Sequence, residues 1–162
     1  MIMKSYFFRH KNNKSNGFFC GEEIIDTYNI CHNLDINRGG TFKVFLNDKC
    51  LAEADVHFYK GYAKLKRLLV VNAYRRTGIG TMFVKYIVSW CKKNGIIAIT
   101  VHASSGVLQE DVDRGFSKGL PQNNLIEFYK RCGFTEVRGD YLRAVLNQSL
   151  LKHSIDVFWG SA

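Results

Sequence analysis

Residues 70–81, VVNAYRRTGIGT, join an apolar run to an amphipathic one through two arginines and two glycines. Before this knot, YAKLKRLLVV at 62–71 passes from alternating to continuously apolar residues, as a strand does where one end is covered on both faces. After it, TMFVKYIVSWCKKN sets Met82, Phe83, Tyr86, Ile87 and Trp90 on one helical stripe, and Asn94-Gly95 supplies a C-terminal stop. IIAITVHA at 96–103 is short and almost wholly apolar, which calls for a central, partly parallel strand. Strand, helix and strand make a βαβ unit, and the knot is its first turn.

The knot is not a phosphate loop of the nucleotide-hydrolase kind, since GxxxxGK followed by Ser or Thr is missing. Gly78-Ile79-Gly80 also has no third glycine where a dinucleotide fingerprint needs one. What remains is a strand end, an arginine pair and two glycines opening a helix. Glycine lets a ligand approach the backbone, and the first-turn N–H groups, unpaired within the helix, point at an anion. Arg76 adds a fixed positive charge beside them.

Working outward, TFKVFLND at 41–48 and CLAEADVHFYK at 50–60 read as strands that complete an antiparallel meander with 62–71, separated by Asn-Asp and Lys-Gly turns. From Gly17 to Asn33, the placing of Phe19, Ile24, Tyr28 and Cys31 at intervals of three to five predicts a loose helix. HKNNKSNG at 10–17 reads as a loop. Residues 104–122 form a long connection, either a substrate lid or a surface elaboration with a helical turn around VLQEDV. NNLIEFYKRCGF at 123–134 predicts a helix with Leu125, Ile126, Phe128, Tyr129 and Cys132 inward, and YLRAVLN at 141–147 a last strand. Phe158 and Trp159 in the C-terminal stretch are expected to pack on the protein's own core or on a neighbouring molecule.

Composition agrees with a folded globular chain: 162 residues, 46% hydrophobic, 23% charged, one proline. One domain over 1–162 is expected. No apolar run reaches the roughly 18 residues of a membrane span, and the N-terminus breaks into charge before a signal-peptide core forms, so a cytoplasmic protein without membrane contact is expected. The five cysteines, 20, 31, 50, 91 and 132, are scattered and make no CxxC pair, which predicts free thiols, no disulfide framework and no metal site. A net charge of +9 attracts phosphates, whether of a nucleotide cofactor, a nucleic acid or an acidic protein, and does not choose among them.

The knot resembles the acyl-CoA-binding signature of the GCN5-related N-acetyltransferase (GNAT) family, in which Arg or Gln is followed after two residues by Gly-x-Gly. Here these are Arg75, Gly78 and Gly80. NLIEFYKRCGF resembles the family's second landmark, a tyrosine four residues before Gly-Phe, here Tyr129 with Gly133 and Phe134. Together the matches span about residues 62–135 in the right order. The resemblance implies the family's acyl-CoA N-acyltransferase fold, an α+β three-layer sandwich with a single mixed, largely antiparallel sheet flanked by helices, its core at about 40–147. It implies that Arg76, Thr77, Gly78, Ile79, Gly80 and Thr81 hold the pyrophosphate of acetyl-CoA through their amides. Leu68, Leu69 and Val70 pair with its pantetheine arm, and Asn124 contributes near the start of the following helix. The strands 62–71 and 96–103 then splay around the thioester.

Transfer of an acyl group to an amine needs a proton taken from an ammonium, whose reference pKa is about 10.4. It also needs a proton given to a departing thiolate, whose thiol lies at about 8.5. By the resemblance Tyr129 is the donor to the thiolate. The base is less direct. Many relatives carry a carboxylate on one of the two central strands, and neither AKLKRLLVV nor IIAITVHA has an acid. Thr100 stands where some relatives have Glu. His102, two residues on and on the same strand face, is the candidate base, with Glu53, Asp55 or a water chain as alternatives. Two further departures are Gln122, where relatives often have Asn, and Asn72, where many have Pro.

The expected activity is therefore acetyl-CoA-dependent N-acetylation of a primary amine on a small molecule or a protein, by direct attack on the thioester. Acetylation of aminoacyl-tRNA, or an idle acyl-CoA-binding module, are the alternatives. The acceptor and the oligomeric state, monomer or homodimer, carry no motif.

Overall fold

The computed structural model describes residues 8–9, 18–25, 27–104, 106–116 and 119–153. The predictions for the 10–17 loop and for Phe158 and Trp159 fall outside these residues. One mixed sheet of nine strands organises the chain, in the spatial order β1-β2-β3-β4-β5-β6-β7-β9-β8. These are β1 (Phe8–Arg9), β2 (Phe18–Ile25), β3 (Tyr28–Asp35), β4 (Gly39–Leu46), β5 (Lys49–Tyr59), β6 (Tyr62–Val70), β7 (Ala98–His102), β8 (Glu136–Arg138) and β9 (Tyr141–Val145). Only β6 and β7 run parallel, and α1 (Ile79–Lys93) makes the crossover between them. Two more helices, α2 (Gln109–Asp113) and α3 (Gln122–Arg131), lie between β7 and β8. No helix among the described residues is long and apolar enough to cross a membrane.

The expected sheet and βαβ unit are present. α1 buries Ile79, Phe83, Val84, Tyr86, Ile87, Trp90 and Cys91, the stripe its periodicity requires, against β5, β6 and β7. Trp90 is its main anchor: it stacks on Phe58 at 5.9 Å and meets Phe42 and His32 edge-on at 5.5 Å. Lys92 and Lys93 in the last turn suit the negative end of the helix dipole, and Asn94 Nδ2 donates to Trp90 O at 2.8 Å where the helix stops.

The helix expected over 17–33 is not there. Residues 18–35 form the antiparallel pair β2 and β3, with Ile25 opposite Tyr28 and Phe18 opposite Asp35. A spacing of four puts residues on one face of a strand as well as on one face of a helix. Ile30 and Leu34 use the strand version and are fully buried, while Asn29, Cys31 and Asn33 take the other face. Cys31 is half-buried on that second face. Three strands are thus added to the edge of β4, and β8 is an additional short strand.

The connection 104–122 carries the helical turn expected around VLQEDV, as α2 (Gln109–Asp113), and its described part is joined to the end of β6. Gly115 O accepts from Asn72 N at 3.1 Å, and Phe116 bridges to Val71, so the segment crosses the end of β6. Asp111, on α2, is almost fully buried beneath it.

Candidate functional site

Pairing between β6 and β7 runs from Tyr62↔Ala98 to Leu65↔Val101 and then stops. Beyond that rung each strand keeps only its outer partner: β6 stays with β5 as far as Val70↔Ala52, and β7 stays with β9 as far as His102↔Tyr141. A cleft of about 960 Å³ opens between them. Its walls include Leu65 to Val70, the start of α1, Val101 and His102, part of the 104–122 connection, and α3 from Asn124 to Arg131. An extended ligand lying along the unpartnered side of β6 would have one peptide edge within reach.

At the far end of β6 the chain turns sharply into α1. Arg76 has φ +61° and Gly78 φ +91°, two left-handed residues within three positions. The first costs a non-glycine residue about 1–2 kcal/mol, and strain of this kind persists where the surroundings enforce it. Gly78 caps α1, and Met82 N donates to Gly78 O at 2.9 Å. The amides of Ile79, Gly80 and Thr81 therefore lie ahead of the intrahelical ladder, at the positive end of the dipole. A Cβ on Gly80 would reach only ordinary contact, 3.6 Å from Phe128 and Val70.

Of the predicted cofactor residues, Leu68, Leu69, Val70, Arg76, Gly78, Gly80, Thr81 and Asn124 line this cleft. Thr77 and Ile79 do not. The Thr77 hydroxyl donates to Tyr74 O at 2.6 Å, and the Ile79 side chain is buried in the core. Any role of these two falls to their backbone. Arg75, the arginine of the signature, and Lys85, not singled out from sequence, also line the cleft and make it strongly cationic.

Tyr129 and His102 line the same cleft from opposite walls, α3 and the end of β7. Tyr129 is 5% exposed and packs edge-on against Phe128 and Phe134, with ring centroids 5.0 and 5.6 Å away. Burial pushes its hydroxyl well above the ordinary phenol range, with Cys132 adding to the shift, so the proton stays on at neutral pH. Burial likewise pushes the Cys132 thiol up to about 11 and Cys91 up to about 12, which removes both as nucleophiles. His102 is exposed. It stacks on Tyr141 at 4.5 Å and 18°, and its Nε2 lies 4.0 Å from Asp140 Oδ2. Thr100, two residues before it, is buried with its hydroxyl 3.4 Å from Ala63 O.

The alternative bases are committed elsewhere. Glu53 Oε1 accepts from Arg114 at 2.7 Å and lies 3.3 Å from Lys43 Nζ. Burial raises its carboxyl, but the bonds from Arg114 and Lys43 outweigh burial and hold it below the usual range. Asp55 takes a 2.7 Å bond from Arg67 Nε, and Arg67 Nη1 bridges both oxygens of Asp111 at 3.0 Å. Arg114 closes the chain onto Asp111 at 3.3 Å. This lattice, which sequence spacing could not reveal, ties the 104–122 connection to β5 and β6.

Comparison with known proteins places this geometry. A family model described as an acetyltransferase (GNAT) domain matches residues 37–136. No curated protein matches the sequence. Among solved structures, the ribosomal-protein-S18-alanine N-acetyltransferase of Escherichia coli aligns with a TM-score of 0.51 at 18% identity, over 68% of this chain and 70% of that one. A Bacillus subtilis acetyltransferase in complex with CoA aligns with a TM-score of 0.50 at 13% identity, over 67% and 78%. The KacTA–DNA complex gives 0.51 at 17% identity, over 70% of each.

Proposed function

The chain belongs to the GNAT acetyltransferase family, and we propose that it is an acetyl-CoA-dependent N-acetyltransferase acting on a primary amine. One observation carries this reading: the parted strands β6 and β7 lead from a buried tyrosine to a helix N-terminus surrounded by cations. The residues present fit coenzyme A. The amides ahead of the α1 ladder, with Arg75, Arg76 and Lys85, suit a pyrophosphate. The unpartnered side of β6 from Leu68 to Val70 suits an amide-bearing arm.

Acetyl-CoA, when bound, supplies the activated acetyl group. The protein's own residues orient it, keep water from the apolar part of the cleft, and move two protons. His102, exposed at the end of β7, takes the proton from the acceptor amine. Tyr129, held protonated by burial, gives its hydroxyl proton to the leaving sulfur and regains one afterwards. Glu53 and Asp55 are unsuited to the base role because their charges are already neutralised by arginines.

Thiol release from acetyl-CoA, followed over a panel of amines, tests the proposal. Turnover is expected with at least one amine, and Tyr129→Phe should lower kcat by roughly 10²–10⁴ without loss of fold. Undiminished turnover in Tyr129→Phe would remove the tyrosine from the mechanism. An absence of turnover with every amine would favour the idle, acyl-CoA-binding module.

A further inference from the structure

We propose that the acceptor amine carries its own anionic group, a carboxylate or a phosphate, and that Lys66 is the residue that selects it. This rests on the N-acetyltransferase reading above and names the substrate class for the same site. The register shift between β5 and β6 pairs Asp55 with Arg67 and Val56 with Leu65, so Lys66 is the extra residue of a bulge. Bulges re-aim the side chain they carry. Lys66 also immediately follows Leu65, whose partner Val101 precedes His102, so it stands at the rung where β6 and β7 part. It is exposed, lines the cleft, and has no ion-pair or hydrogen-bond partner among the described residues.

Its neighbours sharpen the point. Arg67 also lines the cleft, but its charge is taken up by Asp55 and Asp111. Glu53 is taken up by Lys43 and Arg114, and Glu127 by Lys130. Asp140 faces His102 from outside the cleft lining. The uncompensated fixed charge at the parting rung is therefore positive. Lys66 lies four residues of extended chain before Val70, roughly 13 Å, so it is remote from the α1 amides proposed for the pyrophosphate. A polycationic amine entering here meets repulsion. An amine with an attached anion gains an ion pair, and the lysine's field at the same time favours the neutral, nucleophilic form of the amine.

Matched amine pairs test this: leucine against leucinamide, and O-phosphoethanolamine against ethanolamine, with spermidine as the polycation, all at saturating acetyl-CoA. The anionic member of at least one pair is expected to be favoured by about tenfold in kcat/KM, and the pair identifies carboxylate or phosphate as the source. Lys66→Ala should abolish the preference and Lys66→Glu reverse it, with acetyl-CoA affinity unchanged. Titration of the corresponding N-acetyl product should show the same loss of binding in Lys66→Ala without any turnover. Preference for spermidine or for the uncharged members, or a preference that survives Lys66→Ala, overturns the inference while leaving the N-acetyltransferase reading in place. Failure of the wild type to turn over any amine overturns both.

Discussion

Two supports of the cleft are built from different materials. At the α1 end the anion-binding groups are backbone amides, set by left-handed residues at Arg76 and Gly78 and by a helix that begins at Ile79. Alongside it, the 104–122 connection, which meets Val71 and Asn72 where β6 runs into this turn, is held to β5 and β6 by side-chain charges, the chain Lys43–Glu53–Arg114–Asp111–Arg67–Asp55. A backbone cradle depends on a few consecutive residues and tolerates varied side chains around it. A charge lattice depends on partners 44 and 61 residues apart in sequence and fails when one is removed.

The largest effect should come from Asp111→Asn. Its carboxylate is almost wholly buried, while Arg67 and Arg114 are partly exposed and keep Asp55 and Glu53, so losing its bonds should cost about 1–3 kcal/mol. Chemical denaturation should show this loss, and hydrogen exchange should rise in residues 106–116 before the rest of the chain. If the two supports are independent, acetyl-CoA affinity measured below the denaturation midpoint stays within a few fold of wild type. An equal collapse of that affinity would break the distinction.

Gly78→Ala probes the backbone cradle. The Cβ meets nothing within 4 Å, so the penalty is conformational alone, about 1–2 kcal/mol at φ +91°. A thermal melt should show that modest loss. Acetyl-CoA affinity should fall as α1 reorients its first amides, while exchange in 106–116 stays at the wild-type level.

The smallest effect is in pH dependence. Glu53 is held below its unfolded value of 4.5, so its contribution is fully present above about pH 4.5 and is lost as pH falls through the folded value. Stability against pH should therefore decline more steeply for the wild type than for Glu53→Gln below 4.5. Parallel curves would mean that the lattice contributes no linked protonation.

This contrast also explains what was legible in the sequence. The βαβ unit, the α1 stripe and the glycine knot are local patterns, and they appear where the periodicity and the turn residues put them. Tyr129 and Asn124 lie in the cleft because α3 follows its predicted phase, even though it begins at Gln122 and ends at Arg131. The β2–β3 pair imitates a helix in sequence because Phe19, Ile24, Tyr28 and Cys31 recur at intervals of three to five, a spacing that runs across the turn between Ile25 and Tyr28. Arg67, Asp111 and Arg114 could not be read at all, since an ion pair between elements leaves no periodicity behind. Lys66 belongs in sequence to the alternating half of a strand, and only the bulge sets it at the parting of β6 and β7.

The most direct test is isothermal titration of acetyl-CoA into the wild type and Gly80→Glu. Gly80 has room for a Cβ, so the variant should fold while placing a carboxylate among the first amides of α1. Saturable binding by the wild type, weakened by roughly a hundredfold or more in Gly80→Glu as expected for a buried like-charge encounter, is the predicted result. No binding by a folded wild type, or equal binding by the variant, would contradict the cradle and leave the knot as a structural turn.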